Sequence, residues 1–252
     1  MEFTGKNILI TGGSRGIGKA TAQLFAEKGG RVCINFLQNT TAATAVIEGL
    51  AGDGHFAVRA DLSDPTAVEQ MMETFLEECE TLDVVVNNAG VFISHPIADT
   101  TYEEWQKAWQ TTLGLNLLGA ANVCWFAGRQ MMKQGGGHII NVSSRGAFRG
   151  EPEHTAYGAG KAGLNSLTQS LAVELGPHGV IATAVAPGYV ETDMVKELLE
   201  GKKGKAIKSQ SPLRRVATPM EVAHVIVFLA SKEAAYMTGA IVDINGASYL
   251  RS

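Results

Sequence analysis

The chain has 252 residues and a formal net charge of −4, with 45% hydrophobic and 18% charged residues. This composition predicts one compact domain spanning residues 1–252, and it excludes a disordered chain and the basic surface of a nucleic-acid-binding protein. No uncharged apolar run approaches the roughly 20 residues of a membrane-spanning helix, and the first residues lack an apolar signal stretch, so we expect a cytoplasmic protein.

Short apolar runs alternate with helical patterns along the chain. The predicted strands are 7–11, 31–36, 55–60, 82–87, 138–143, 180–186 and 240–244, and the predicted helices lie near 16–29, 41–51, 65–79, 102–133, 155–176 and 219–231. Such alternation is typical of βαβ units that build a parallel sheet, and right-handed crossovers place helices on both of its faces. We therefore predict a doubly wound α/β fold.

A glycine-rich turn joins the first predicted strand to the first predicted helix. Glycines let the backbone turn tightly and approach a ligand, and the helix N-terminus offers free N–H groups to a pyrophosphate. The turn therefore predicts a dinucleotide site, although a purely structural turn also fits the pattern. Its residues are Gly12, Ser14, Arg15, Gly16, Ile17 and Gly18, in the order T-G-x-x-x-G-x-G.

The second predicted strand ends in Asn35-Phe36-Leu37, without the carboxylate that often binds a ribose 2′-hydroxyl. Arg15 in the glycine turn is suited to a 2′-phosphate, so NADP(H) is favoured over NAD(H), with an exposed Arg15 of no such role as the alternative. Asp61, followed by Leu62, is placed after the third strand to accept a hydrogen bond from adenine. A cap of the next helix is the alternative role for Asp61, but Asp64 suits that position better.

Four polar residues form a candidate catalytic set. Tyr157 and Lys161 are spaced i, i+4 in a predicted helix and therefore share one face. Ser144 follows the fifth predicted strand, and Asn116 lies within the long fourth helical stretch. Each is a weak signal alone, and Ser143 is an alternative to Ser144, but together with the glycine turn the set is specific.

With these motifs, the chain resembles the short-chain dehydrogenase/reductase family from Lys6 to about Tyr249. The family's motifs match the glycine turn, the catalytic set and the sequence Asn87-Asn88-Ala89-Gly90 after the fourth strand. The resemblance implies a Rossmann-type sheet of about seven parallel strands, a homotetramer, and cofactor contacts from Asn88, Ala89, Gly90, Tyr157, Lys161, Pro187, Gly188, Val190 and Thr192. The alternative role for Asn88 is a purely structural tie between strands.

The residue types suit hydride transfer between a nicotinamide and a carbonyl or alcohol. Tyr157 supplies or removes the proton. We expect the Lys161 ammonium and the positive nicotinamide ring of the oxidised cofactor to lower the pKa of its phenol from about 10. Ser144 hydrogen-bonds the reacting oxygen. The resemblance further implies that Lys161 binds the nicotinamide ribose and that Asn116 holds a water for proton resupply.

The substrate is less well specified by the sequence. A carbonyl or 3-oxoacyl reductase is the leading interpretation, with a sugar or polyol dehydrogenase and a non-enzymatic NADP-binding sensor as alternatives. Gly135-Gly136-Gly137 and His178 stand where similar reductases carry basic residues for an acidic carrier protein. Arg145, Arg149 or His154 is a candidate contact for a polar or acidic substrate, with a solvent-exposed rim or a subunit contact as the alternative.

Two further expectations concern a lid and a metal. The Lys-rich segment 191–215 interrupts the alternation and fits either a mobile substrate lid or a solvated surface helix. No metal site is predicted, because the spacing of Cys33, Cys79 and Cys124 fits no metal motif. Each cysteine lies in an apolar or helical run, which predicts buried free thiols.

Overall fold

The computed structural model describes residues 3–193 and 197–251. Its strands are β1 (Asn7–Ile10), β2 (Arg31–Phe36), β3 (Phe56–Arg59), β4 (Val84–Asn87), β5 (Gly137–Val142), β6 (Val180–Pro187) and β7 (Ile241–Ile244). Its α-helices are α1 (Gly16–Glu27), α2 (Thr40–Glu48), α3 (Pro65–Cys79), α4 (Tyr102–Leu113), α5 (Ala120–Gln134), α6 (Thr155–Leu175), α7 (Gly201–Ser209) and α8 (Pro219–Leu229).

The strands form one parallel sheet in the order β3-β2-β1-β4-β5-β6-β7. The predicted doubly wound fold of about seven strands is therefore confirmed. The strand order reverses between β1 and β4, and open α/β sheets bind ligands at the carboxyl ends of the strands at such a point. The topology alone therefore locates the candidate site.

Helices cover both faces of the sheet, so most strands are buried on both sides. In β1, Ile8 and Ile10 join the apolar core on one face, whereas Leu9 joins the core on the other. The edge strand β7 is only partly covered, because Ile241, Val242 and Ile244 remain partly exposed. It starts only at Ile241, after a 3₁₀ turn that ends at Met237.

The predicted continuous helix 102–133 is wrong in one detail. A π-helical segment, Gly114–Gly119, separates α4 from α5 and carries Asn116. A π-helical turn inserts an extra residue and re-aims its side chains, and such turns occur frequently at functional sites. Hydrophobic periodicity cannot show this interruption, because the apolar pattern continues through it.

Helix α3 begins directly after the residue that the sequence predicts as its cap. Asp64 caps α3 by accepting a hydrogen bond from the Thr66 amide, as predicted.

All three cysteines are free and buried, which confirms the prediction of buried free thiols. Within the described ranges, no helix combines the length and apolar character that crossing a membrane requires.

Candidate active site

A cleft of about 1020 Å³ opens at the carboxyl ends of the strands. It is long enough to reach from the glycine turn to the carboxyl end of β5. The predicted site residues that line it are Gly12, Ser14, Arg15, Gly16, Ile17, Asp61, Leu62, Asn88, Ala89, Gly90, Ser144, Tyr157, Lys161, Pro187, Gly188, Val190 and Thr192. Gly18 and Asn116 are absent from the cleft wall and lie behind it.

The glycine turn is shaped for close approach to a ligand. Gly12 and Gly16 have φ angles of 62° and 55°, in the left-handed region that favours glycine. A Cβ on Gly18 would lie 2.5 Å from the carbonyl oxygen of Gly12, so Gly18 permits close packing beneath the turn. This glycine therefore supports the cofactor turn from behind, whereas the prediction placed it in contact with the cofactor.

The N-terminus of α1 is left open to the cleft. Arg15 occupies the cap position without a side-chain capping bond, so the first helical N–H groups remain available. These groups and the positive end of the helix dipole fit a dinucleotide pyrophosphate. The Arg15 side chain is exposed at the same end of the cleft.

Asn35, near the end of β2, ties the turn to the sheet. Its Oδ1 accepts from the Gly12 amide at 3.3 Å, and its Nδ2 donates to the Ala60 carbonyl at 3.1 Å. The predicted absence of a carboxylate at this strand end thus coincides with a buried amide that shapes the glycine turn. Neither contact was foreseen from the sequence.

Asp61 faces the cleft but is partly occupied by its own turn. Its Oδ1 accepts from the amide and hydroxyl of Ser63 at 2.9 and 2.7 Å. Asp64 rather than Asp61 caps α3, which removes the capping alternative for Asp61. The adenine contact of Asp61 and Leu62 stays a prediction.

Asn88 is a structural tie. Its Nδ2 donates to the carbonyls of Thr11 and Gly12 at 2.9 and 3.1 Å, so β4 is joined to the glycine turn. Its side-chain amide is therefore used by the protein, in agreement with the structural alternative, although Asn88 also lines the cleft. Gly90 is packed beside the catalytic set: a Cβ there would lie 3.2 Å from Asn116 Oδ1 and 3.6 Å from Lys161 Nζ.

Ser144 and Tyr157 meet at the inner end of the cleft. Burial raises the pKa of Tyr157, and a side-chain hydrogen bond with Ser144 opposes that rise. The expectation that Lys161 and the oxidised nicotinamide together lower this pKa concerns the cofactor-bound enzyme and stays a prediction. Desolvation is the largest effect, and the opposing contact comes from Ser144.

Lys161 is buried directly behind Tyr157. Its Nζ donates to the Val142 carbonyl at 2.7 Å and lies 5.8 Å from the centre of the Tyr157 ring. Burial lowers the pKa of Lys161 to about 8, because the ammonium loses solvation. Ser143, the alternative to Ser144, is buried with its hydroxyl donating to the Lys161 carbonyl at 3.3 Å, which leaves Ser144 as the serine that contacts Tyr157.

Asn116 does not line the cleft but binds the backbone of Val91, which does. Its Nδ2 donates to the Val91 carbonyl and its Oδ1 accepts from the Val91 amide, both at 2.9 Å. These two bonds use one N–H and one lone pair of the amide, and the predicted role of Asn116 in holding a water stays a prediction. The π-helical segment aims this amide at the loop that follows β4.

An aromatic stack adjoins Tyr157 that the sequence did not reveal. The Phe92 ring meets Tyr157 edge-on at 4.8 Å, and His154 stacks on the other side of Phe92. His95 receives the Ala156 amide on its Nε2 at 3.2 Å and thereby caps the start of α6. These rings lie far apart in sequence, and only the presence of Phe92 and His95 in the loop after β4 could have drawn attention to them.

The segment 188–193, which follows β6, contributes to the wall of the cleft. A Cβ on Gly16 would lie 3.1 Å from Thr192, so the end of the segment crosses the glycine turn. Lys196 of the predicted lid lies outside the described residues. The exposed lysines Lys202, Lys203, Lys205 and Lys208 lie on α7, and lid movement stays a prediction.

These features define a nicotinamide-dependent oxidoreductase, with a dinucleotide cleft that ends at a Ser-Tyr-Lys set. Residues 12–247 match the family described as enoyl-(acyl carrier protein) reductase. The chain is 38% identical to the 3-oxoacyl-(acyl-carrier-protein) reductase of Synechocystis sp., over 97% of both chains. It is 37% identical to the 3-oxoacyl-(acyl-carrier-protein) reductase FabG of Vibrio harveyi, over 99% of this chain and all of the relative.

A solved structure gives the same result. The crystal structure of gox2181 superposes with a TM-score of 0.91 at 34% identity, covering 98% of this chain and 96% of the other. The chain belongs to the short-chain dehydrogenase/reductase family. It is an enzyme that transfers a hydride between a nicotinamide cofactor and a carbonyl or secondary alcohol.

Proposed function

We propose that this enzyme is an NADP(H)-dependent carbonyl or 3-oxoacyl reductase in which Ser144, Tyr157 and Lys161 carry the chemistry. The meeting of these side chains at the inner end of the cleft is the observation that supports it most directly. The relatives named for 3-oxoacyl reduction favour this function over a polyol dehydrogenase.

The bound nicotinamide supplies the hydride, and the protein supplies the proton and the binding of the oxygen. Tyr157 is suited to act as general acid, because its phenol carries a transferable proton and meets Ser144 at the inner end of the cleft. Ser144 hydrogen-bonds the same oxygen and orients it toward Tyr157. Lys161 binds the nicotinamide ribose and favours the phenolate that remains after proton transfer.

NADP(H) is the proposed cofactor. Leu37, Gln38 and Asn39 follow β2 and line the cleft without a carboxylate that would repel a 2′-phosphate. Arg15 and Lys19 line the same end and provide positive charge. A guanidinium binds phosphate oxygens in a bidentate manner, which makes Arg15 the principal contact.

We also propose a homotetramer in the cytoplasm. Trp125 on α5 and Val173 on α6 are exposed by 55% and 81%, and β7 forms a partly open sheet edge. Covering such apolar surface is a general reason for association. The free cysteines agree with a reducing compartment. Light scattering at micromolar concentration tests the assembly, and a monodisperse monomer contradicts it.

The function is tested by following NADPH and NADH absorbance with neutral ketones and 3-oxoacyl thioesters. We expect turnover that prefers NADPH and falls at least about 10²-fold in Tyr157→Phe. The variant retains the ring against Phe92, so NADPH binding measured by fluorescence should persist. Equal turnover by wild type and variant would contradict the role of Tyr157.

A further inference from the structure

Arg145 is a buried cation directly beside the candidate catalytic serine. It follows Ser144 in a 3₁₀ turn, Arg145–Ala147, and only 3% of its surface is exposed. Arg145 and Tyr189 line both the main cleft and a second cavity of about 240 Å³. The rim alternative considered from the sequence is therefore wrong for Arg145, whose guanidinium lies in the wall between the two cavities.

The charge of Arg145 is incompletely paired. Its Nη1 donates to Ser248 Oγ at 2.7 Å, and its guanidinium lies 4.8 Å from the centre of the Tyr189 ring, but both partners are neutral. Within the described ranges its one carboxylate partner is Glu151, with 3.6 Å between Nε and Oε1. Glu151 acts on Arg145 through its charge and a side-chain hydrogen bond, but this ion pair is longer than the about 2.7–2.9 Å of a strong guanidinium–carboxylate bond, so a closer acceptor can compete with it.

The surrounding charges add to a positive excess. Arg149 lies close enough to act on Arg145 and Tyr189 through its charge, and the Lys161 ammonium lies across the cleft. Glu151 is the carboxylate that opposes them there. Around the second cavity the charges are paired with each other, Arg215 with Glu221 at 2.6 Å and Asp243 with Arg251 at 2.7 Å.

We propose that Arg145 binds a carboxylate of the substrate, so that the enzyme prefers oxo acids to their neutral esters and ketones. The inference rests on the proposed carbonyl reductase and specifies its substrate class. A planar guanidinium can donate two parallel hydrogen bonds, one to each oxygen of a carboxylate. Since Arg145 adjoins Ser144, the carboxylate belongs within a few bonds of the reacting carbonyl, as in a 3-oxo acid.

Glu151 gives the inference a distinctive signature. In the empty cleft its carboxylate partly neutralises Arg145, which limits the cost of a buried charge. An incoming substrate carboxylate competes with Glu151 for the same guanidinium. Removing the charge of Glu151 should therefore strengthen binding of the acid, whereas removing the charge of Arg145 should weaken it.

The experiment compares acetoacetate with methyl acetoacetate, which differ in charge beside the same ketone. The readout is the ratio of kcat/KM for acid over ester with NADPH. We expect the wild-type ratio to exceed about 10, to fall at least tenfold in Arg145→Met, and to rise about threefold or more in Glu151→Gln, mainly through KM. Arg129→Met, on the distant α5, is the matched control for loss of an arginine.

The outcomes separate this inference from the proposed function. Reduction of the ester and of 3-oxoacyl thioesters without preference for the acid overturns the role of Arg145 but leaves the reductase intact. Absence of turnover with every carbonyl contradicts the reductase itself. If Arg145→Met does not fold, Glu151→Gln decides: an unchanged or lower ratio in that variant overturns the inference.

Discussion

The His154 ring lies flat against the Phe92 ring, with centroids 3.7 Å apart and planes 6° apart. Phe92 in turn meets the candidate acid Tyr157 edge-on. Phe92 and His154, from separate loops, thus form a stacked pair of rings that packs against one side of Tyr157. This stack fixes the phenol ring from one side, while Ser144 contacts its hydroxyl.

The stack predicts a different effect for two substitutions of His154. His154→Ala removes a contact of about 1 kcal/mol, so kcat should fall roughly fivefold as Tyr157 loses its orientation. His154→Phe keeps a planar ring and should remain within about twofold of wild type. Steady-state kinetics with a neutral ketone measure both. Equal losses in the two variants would show that a polar contact of His154 matters more than stacking.

Arg15 provides the sharpest test of cofactor preference. Arg15→Ala should weaken NADPH binding by about tenfold or more, because a charge-assisted contact to phosphate is worth about 1.5–3 kcal/mol. NADH lacks that phosphate, and its dissociation constant should change less than about threefold. Fluorescence titration measures both constants. A similar loss for the two cofactors would assign Arg15 to the shared pyrophosphate instead.

Sequence reasoning reached the fold because the strand and helix patterns are long and periodic. It also identified Ser144, Tyr157 and Lys161 because a family motif records their spacing. It did not predict the two hydrogen bonds between Asn116 and Val91, because a π-helical turn leaves the hydrophobic periodicity unchanged. The pKa of Tyr157 depends on burial and neighbours, which spacing does not show.

The pKa of Lys161 predicts a pH dependence in the free enzyme. Burial lowers this pKa to about 8, so the amine replaces the ammonium as pH rises through that value. The kcat/KM for NADPH reports groups of the free enzyme, and it should fall above about pH 8. A profile that stays flat to about pH 9.5 in folded protein would contradict the need for the ammonium.

The lowered pKa of Lys161 also makes the stability of the fold depend on pH, and stability should rise over the pH range in which kcat/KM falls. The folded pKa of Lys161 lies below its ordinary value of 10.5, so the protonated side chain destabilises the fold below about pH 8. That cost is relieved as pH rises from 8 toward 10.5. Between pH 7 and 9.5, wild type should therefore gain up to about 2 kcal/mol relative to Lys161→Met in urea unfolding. A constant difference between the two proteins would exclude this linkage.

Asn116 should contribute both to stability and to the shape of the cleft. Asn116→Leu leaves the partly buried N–H and carbonyl of Val91 without their side-chain partner, at about 1–3 kcal/mol for each group. We expect the melting temperature to fall by roughly 5–15 °C for a chain of this size. Because Val91 lines the cleft beside Gly90, kcat should also fall by about tenfold.

The matched control is Gln110→Leu, which removes an exposed amide from α4 without touching the cleft. Its melting temperature and kcat should stay near wild type, since exposed substitutions usually change stability by less than about 0.5 kcal/mol. Differential scanning fluorimetry and kinetics on both variants separate the buried bond from a general effect of leucine. If Asn116→Leu matched the control in both measurements, the two bonds to Val91 would not determine the geometry of the site.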